Sequence, residues 1–193
     1  MNGFEVVRDF EKALCEYTGA KFACATRSCT DALLLCCAYL NVKMVWIPRF
    51  TYHGVPMAVL NAGGQVTFHN EQWRGSYTLE PYTIKDSARR FYHGMYSPGY
   101  YECVSFHITK ILGIDQGGAI LHDDEPAQDI FLAMSRDGKH PNSKRLVRGF
   151  HCYMSPGTAA EGIRRLATLP RLNADLANDP NYLDLSQQDI FKC

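Results

Sequence analysis

Residues 105–120 read S-F-H-I-T-K-I-L-G-I-D-Q-G-G-A-I and contain one lysine, Lys110, between two apolar runs. The runs C-V-S-F-H (103–107) and G-A-I-L-H (118–122) overlap its two ends, and both have the length and apolar content of buried strands. An unpaired charge is costly to bury, so a lone lysine between buried strands needs a partner or a chemical role. The stretch predicts two core strands joined by a loop that carries Lys110.

Helix-like and strand-like patterns alternate on both sides of this stretch. Apolar residues at helical spacing precede a glycine that suits a helix end; they are Phe4, Val7, Phe10 and Leu14, followed by Gly19. Further helices are predicted at 28–40, 53–63, 125–138 and 158–169, and further strands at 21–26, 43–48, 65–69 and 82–86. Strands that alternate with helices predict an α/β fold, a three-layer α/β/α sandwich with a mostly parallel sheet.

The composition is that of an ordinary globular protein, with 193 residues, 46% hydrophobic and 21% charged, enough for one domain with a core. Twenty basic and twenty acidic residues cancel, so neither nucleic acid nor an anionic membrane is favoured as a partner. The N-terminus carries charges too early for a signal peptide, and no apolar run is long enough to span a bilayer. We expect a cytoplasmic protein.

The eight cysteines form no C-x-x-C pair, so we expect reduced thiols that pack as small core residues. The segment H-D-D-E (122–125) has the residue types of a metal site, but acidic residues at the start of a helix explain it better. No metal site is therefore predicted.

Two candidate groups sit where strands are followed by polar segments, the usual place for ligands in open α/β sheets. The segment S-C-T (28–30) opens a helix, whose free amides and hydroxyls suit a phosphate but also an ordinary helix cap. Asp86 ends the strand Y-T-I-K-D, and a carboxylate there needs a partner. That partner is either a structural arginine, Arg89 or Arg90, or a protonated ring nitrogen on a ligand.

Two further candidates are aromatic and basic. Phe50 and Tyr52 follow a strand and are suited either to core packing or to stacking on a flat ligand. Lys110 is suited either to pairing with a phosphate or, with a lowered pKa, to attacking a carbonyl as the free amine. Phosphate cradle, carboxylate, aromatic ring and imine-forming lysine together are the parts of a pyridoxal 5'-phosphate site.

The chain resembles the sugar aminotransferases of the DegT/DnrJ/EryC1/StrS family, which have the type I pyridoxal phosphate-dependent transferase fold. Six segments carry the resemblance in the family's order: A-T-R-S-C-T-D-A-L, I-P-R-F-T-Y-H-G-V, I-K-D-S-A-R-R, S-F-H-I-T-K-I-L, Q-G-G-A-I-L and G-F-H-C-Y-M-S-P. Each is weak alone, but six in order along nearly the whole chain are specific.

The resemblance implies a role for each matching residue. Lys110 matches the lysine that forms the internal aldimine and moves the proton, and Asp86 matches the carboxylate on the pyridine nitrogen. Cofactor contacts are implied for the matching positions Ser28, Cys29, Thr30, Tyr52, Arg89, Ser105 and His151. Gly117 and Gly118 match a glycine pair whose role is backbone geometry.

The chain also departs from the family. Arg89 stands where Gln or His is usual, His151 replaces an Asn that reaches the partner subunit's cofactor, Tyr153 replaces an Arg, and Gln116 replaces a Glu. We expect a cofactor-binding large domain at 1–170 and a loosely held polar tail at 171–193, with the family's C-terminal small domain absent.

The resemblance implies amino transfer from an amino acid, with glutamate as the expected donor, to the keto group of a sugar nucleotide. A homodimer with a shared active site is implied as well. Two alternatives stay open at this point: a cofactor-binding remnant or partial subunit without sugar transamination, and an enzyme of the same cofactor acting on another amine.

Overall fold

A computed structural model describes residues 4–140 and 144–192. The described part of the chain contains five α-helices: α1 (Glu5–Thr18), α2 (Cys29–Tyr39), α3 (Gly54–Ala62), α4 (Glu125–Ser135) and α5 (Pro156–Leu166). It contains seven strands: β1 (Phe22–Thr26), β2 (Met44–Pro48), β3 (Gln65–His69), β4 (Tyr77–Thr78), β5 (Ile84–Asp86), β6 (Tyr101–Ser105) and β7 (Gly118–His122). All the predicted α-helices and strands are present, and among the strands of the described ranges the two-residue β4 was not anticipated.

The strands form a mixed sheet in which one direction predominates. Five strands are ordered β1-β7-β6-β5-β4, and β2 pairs with β3 in parallel. β5 and β6 are parallel, whereas β7 is antiparallel to both its neighbours, so β1, β5 and β6 run the same way. A single antiparallel bridge, Trp46 to Glu80, joins β2 to the chain just after β4, which is itself antiparallel to β5. β2 and β3 therefore share the main direction, and the predicted α/β fold with a mostly parallel sheet is confirmed.

Alternate residues of the strands face two separate cores, which makes the domain a three-layer sandwich. Cys103 and Ile120 pack in one core with buried residues of α2, α3 and α4. Val104 and Ala119, their neighbours in sequence, pack in a second core with residues of α1 and α5. This follows from the two-residue period of a strand, which sends successive side chains to opposite faces.

The cysteines and the acidic segment have the structural roles expected of them. Of the seven cysteines within the described ranges, all are free and all but Cys15 are buried. Asp124 is the N-cap of α4, where its Oδ1 accepts a hydrogen bond from the Ala127 amide at 3.2 Å. No helix in the described part of the chain has the length and apolar character needed to cross a membrane.

The C-terminal segment (residues 171–192) is packed, contrary to the loosely held tail expected from its polar sequence. Arg90 makes two hydrogen bonds to Asp175, at 3.0 and 2.7 Å. Leu185 and Phe191, in two short 3-10 turns, are buried in the first core. The sequence pattern missed this packing because only two widely spaced apolar anchors and several polar contacts hold the segment. The proposed boundary at residue 170 stays a prediction.

Glu11, on α1, gives the fold a pH dependence. Its Oε1 accepts a hydrogen bond from the Ala25 amide of β1 at 2.9 Å, and burial raises its pKa to about 7 despite the nearby Arg136 and Arg8. Because the folded-state pKa is raised, the contribution of Glu11 to stability is full below pH 4.5 and is lost as the pH rises through about 7. The free energy of unfolding of Glu11→Gln minus that of wild type should therefore increase by about 3 kcal/mol as the pH is raised from 4.5 to 8.

Urea unfolding of the cofactor-free protein at several pH values measures this difference. Glu16→Gln changes an exposed glutamate of the same helix and serves as the control. Parallel pH profiles for Glu11→Gln and wild type would refute the prediction.

Candidate active site

A cavity of about 510 Å³ opens at the carboxyl ends of β1, β5 and β6. It brings together eight of the nine residues predicted from sequence: Ser28, Cys29, Thr30, Tyr52, Asp86, Arg89, Ser105 and Lys110. These residues come from four separate stretches of the chain, at 28–30, 52, 86–89 and 105–110, and the shared strand direction places these stretches at one edge of the sheet.

The start of α2 forms one side of the cavity. Ser28 is the N-cap, and its hydroxyl both accepts from the Asp31 amide at 3.1 Å and contacts Asp31 Oδ2 at 2.8 Å. The amides of Cys29 and Thr30, in the first turn, have no acceptor within the helix. With the hydroxyls of Thr30 and Ser105, they form a set of donors suited to an oxyanion.

Gly118, the first residue of β7, lies directly against this helix start. A Cβ built on Gly118 would be 2.4 Å from the Cys29 amide nitrogen and 2.5 Å from the Ser28 carbonyl carbon. The resemblance assigned the glycine pair a role in backbone geometry, and this contact gives that role a physical basis for Gly118.

We expect Gly118→Ala to lower the free energy of unfolding by about 1–3 kcal/mol, because the methyl group would push two backbone segments apart. Gly157→Ala in α5 is the matched control, since a Cβ there has no heavy atom within 4 Å. Urea denaturation of the two variants measures the difference. Equal midpoints would show that the helix start moves away from β7 without cost.

Asp86 ends β5 and is almost completely buried. Its Oδ1 accepts from the Ala88 amide at 2.9 Å, and its Oδ2 accepts from the Tyr77 hydroxyl at 3.0 Å. The Tyr77 hydroxyl also contacts the Thr51 hydroxyl at 2.7 Å. Burial raises the pKa of Asp86, whereas the Ala88 amide, the Tyr77 hydroxyl and the charge of Lys110 oppose that rise.

The alternative in which Asp86 forms a salt bridge with Arg89 or Arg90 is not observed in the part of the chain that the structure describes. No arginine or lysine nitrogen among residues 4–140 and 144–192 forms an ion pair with Asp86, and Arg90 pairs with Asp175 instead. A carboxylate has about four acceptor sites, so Asp86 retains the capacity to accept a further donor from the cavity side.

Lys110 lies in a tight turn after β6, in which its amide donates to the His107 carbonyl at 2.7 Å. Gly113 completes this turn in the left-handed region, with φ at +57°. The Lys110 side chain is half-buried, and desolvation, with a smaller effect of the Arg89 charge, lowers the pKa of its amine. A lowered pKa increases the fraction of neutral, nucleophilic amine at a given pH.

Tyr52 lines the cavity, and half of its surface is exposed. The alternative prediction that Tyr52 packs in the core was therefore wrong. Gly54 makes room for this ring, because a Cβ on Gly54 would be 2.5 Å from Tyr52 Cε1. Phe50 is 37% exposed and does not line the cavity.

His151 is the one predicted residue that the chain does not bring into this cavity. It lines a neighbouring cavity of about 290 Å³ with Arg27 and Tyr153, and its Nδ1 lies 2.8 Å from Asp137 Oδ2. Gln116 lines both cavities, so the two are adjacent. The role that the resemblance implies for His151, contact with a cofactor in the partner subunit, stays a prediction.

Sequence reasoning missed several residues of the main cavity. Trp73 lies in a loop before β4, and Asp179 and Tyr182 belong to the C-terminal segment. Arg89 contacts the C-terminal segment at two points, since its Nε donates to the Tyr182 hydroxyl at 3.0 Å and its guanidinium also donates to the Ala177 carbonyl. No motif surrounds these residues, so only the folded chain could associate them with the site.

The residues of the cavity fit pyridoxal 5'-phosphate. The uncapped amides and hydroxyls at the start of α2 suit its phosphate, and Asp86 has acceptor capacity for its ring nitrogen. Lys110 is the single lysine among the cavity's described residues, and its lowered pKa suits reaction with a carbonyl.

Solved structures similar to this one include pyridoxal phosphate-dependent aminotransferases, and the chain shares their fold. NtdA from Bacillus subtilis with the bound cofactor PMP superimposes with a TM-score of 0.72 at 22% identity, over 85% of this chain and 48% of that one. A DegT DnrJ EryC1 StrS aminotransferase from Brucella abortus superimposes with a TM-score of 0.70 at 20% identity, over 85% and 58%.

The model of the DegT/DnrJ/EryC1/StrS aminotransferase family matches residues 1–91 and 92–185, and the chain belongs to this family. Two curated relatives are UDP-4-amino-4,6-dideoxy-N-acetyl-beta-L-altrosamine transaminases of Campylobacter jejuni. One, of serotype O:2, is 41% identical over 70 residues, 35% of this chain and 19% of the relative. The other, of serotype O:23/36, is 40% identical over 93 residues, 46% of this chain and 25% of the relative. The chain thus spans a quarter or less of the curated relatives it matches.

Proposed function

We propose that this protein is a pyridoxal phosphate-dependent aminotransferase that transfers an amino group from an amino acid to a keto sugar nucleotide. The observation that carries the proposal is the convergence of Lys110, Asp86 and the open start of α2 on one cavity. Each feature alone has an ordinary structural explanation. Their combination within about 510 Å³ matches the parts that this cofactor needs and supports its use here.

The cofactor would be held at three points. Its phosphate would accept hydrogen bonds from the α2 amides and from the hydroxyls of Thr30 and Ser105. Its ring nitrogen would donate to Asp86, and Tyr52 would cover one face of the ring. When bound, the cofactor supplies an aldehyde that can take up an amino group and a ring that can accept electrons.

The protein's own residues then have distinct tasks. Lys110 would hold the cofactor through its amine, and its Nζ is also placed to act as the base that would move the proton at the substrate carbon. The donors Tyr77 and Ala88 favour the ionised form of Asp86 against the effect of burial, and the carboxylate would in turn favour a protonated ring nitrogen. Both side chains are at least half-buried, which strengthens these electrostatic effects by excluding water.

The substrate class is taken from the Campylobacter jejuni relatives, which are named for a UDP-linked amino sugar. We infer that a UDP-linked keto sugar is the amino acceptor and that glutamate is the donor. We also propose, as the sequence predicts, that the protein is a homodimer and is cytoplasmic. The neighbouring cavity lined by His151 is where a second subunit would have to meet the first for a shared site.

Absorption spectroscopy of the purified protein with added pyridoxal phosphate tests the proposal. We expect a visible band that borohydride removes, and loss of the same band when glutamate or UDP-4-amino-4,6-dideoxy-N-acetyl-β-L-altrosamine is added. A band that neither amine affects would exclude the proposed amino transfer between glutamate and this UDP-linked sugar. The absence of any band would exclude the cofactor as well.

A further inference from the structure

The C-terminal segment forms one wall of the cavity through Asp179 and Tyr182. This wall is held by specific contacts on both sides of those residues. The Leu176 amide donates to the Arg89 carbonyl at 2.9 Å, and the Leu185 amide donates to the Arg49 carbonyl at 3.0 Å. The segment is therefore a fixed boundary of the cavity.

Two further contacts join the wall to the loop before β4. Asn178 donates from Nδ2 to the Trp73 carbonyl at 2.7 Å. Gly75 has room for no side chain, since a Cβ there would be 2.2 Å from Asp175 Oδ2. These contacts bring the rings of Trp73 and Tyr182 to a centroid distance of 6.3 Å, with planes 23° apart.

The chemistry of this wall differs from that of the rest of the cavity. Asp179 Oδ1 accepts from the amide and the side chain of Asn181, at 2.9 and 3.2 Å, which fixes the carboxylate's orientation. Its Oδ2 accepts no hydrogen bond from the described part of the chain. The wall thus offers two aromatic rings and one oriented acceptor with negative charge.

We propose that this wall is the subsite for the sugar ring of the amino acceptor, with Asp179 as a specificity-determining residue. The proposal rests on the proposed function. The apolar face of a sugar ring packs well on an aromatic side chain, and its hydroxyl or acetamido N–H groups can donate to a carboxylate. Asp179 would repel a diphosphate placed beside its carboxylate, so we assign the sugar ring to the Asp179 side of the wall.

Binding of UDP-4-amino-4,6-dideoxy-N-acetyl-β-L-altrosamine to the full chain tests the subsite directly. In a Trp46→Phe background, Trp73 is the one remaining tryptophan, and its fluorescence reports on ligand at the wall. We expect the nucleotide sugar to change this fluorescence, and Asp179→Asn to weaken its binding about 10-fold, the effect of losing one charge-assisted hydrogen bond. Asp189→Asn, an exposed carboxylate of the same segment outside the cavity, is the matched control and is expected to bind as wild type.

A second readout separates specificity from general damage to the site. The ratio of half-reaction rates for the amino sugar and for glutamate should fall about 10-fold in Asp179→Asn. Tyr182→Ala should lower the same ratio, whereas Tyr182→Phe, which keeps the ring, should restore it. An unchanged ratio, or an equal loss with both amines, would overturn the subsite.

The two proposals can fail independently. If the nucleotide sugar binds in an Asp179-dependent way but neither amine reacts, the proposed function is wrong and the subsite stands. If glutamate reacts but the nucleotide sugar gives no change in Trp73 fluorescence, the subsite is wrong while amino transfer stands.

Discussion

Lys110→Ala is expected to lower the rate of amino transfer by about 10⁴-fold, the largest effect of any single change in this chain. If the proposed function holds, the substitution removes both the amine that would hold the cofactor covalently and the base that would move the proton. The other groups of the cavity, including Asp86 and the start of α2, are unaffected, so cofactor should still bind without a covalent bond. Stopped-flow measurement of the glutamate half-reaction gives the rate.

Lys110→Arg is the charge-matched variant, because a guanidinium keeps the positive charge but does not act as a nucleophile. It should be as inactive as Lys110→Ala, and mass spectrometry after borohydride reduction should find cofactor attached to wild type alone. A Lys110→Ala protein that reacted within about 10-fold of the wild-type rate would remove Lys110 from the chemistry, since general-base effects exceed that factor.

Asp86→Asn is expected to lower the half-reaction rate by about 10³-fold while making the cofactor-free protein more stable at neutral pH. The rate falls because an amide does not hold the ring nitrogen protonated. Stability rises because burial raises the pKa of Asp86, so the ionised carboxylate opposes folding. The stability that Asp86 contributes when protonated is present below its ordinary pKa and is lost as the pH rises through the higher folded-state pKa.

Unfolding of the cofactor-free proteins at pH 4 and pH 7 checks the second half of this prediction. The free energy of unfolding of Asp86→Asn should exceed that of wild type by more at pH 7 than at pH 4. A variant that is less stable than wild type at pH 7 would show that the hydrogen bonds from Tyr77 and Ala88 outweigh the cost of burying the charge. Asp179→Asn, a change of an exposed carboxylate, is the control for stability alone.

Local patterns were sufficient to predict most of the fold. The apolar runs before and after Lys110 became β6 and β7, and Ser28 became the cap of α2, because these features depend on residues close together in sequence. The two-residue β4 was missed, since it is held by pairing with β5 and has no apolar period of its own.

The strand-end positions of Lys110, Asp86 and Ser28–Thr30 were predictable from local patterns, because a strand followed by a polar loop is a local property of the chain. The positions of Asp179 and Tyr182 in the same cavity, and the contact of Arg89 with Tyr182, depend instead on long-range packing. The contacts responsible join residues about ninety positions apart, and the segment that carries them reads locally as a polar tail. Its position is set by a few hydrogen bonds and two buried side chains, which leave no periodic signal in the sequence.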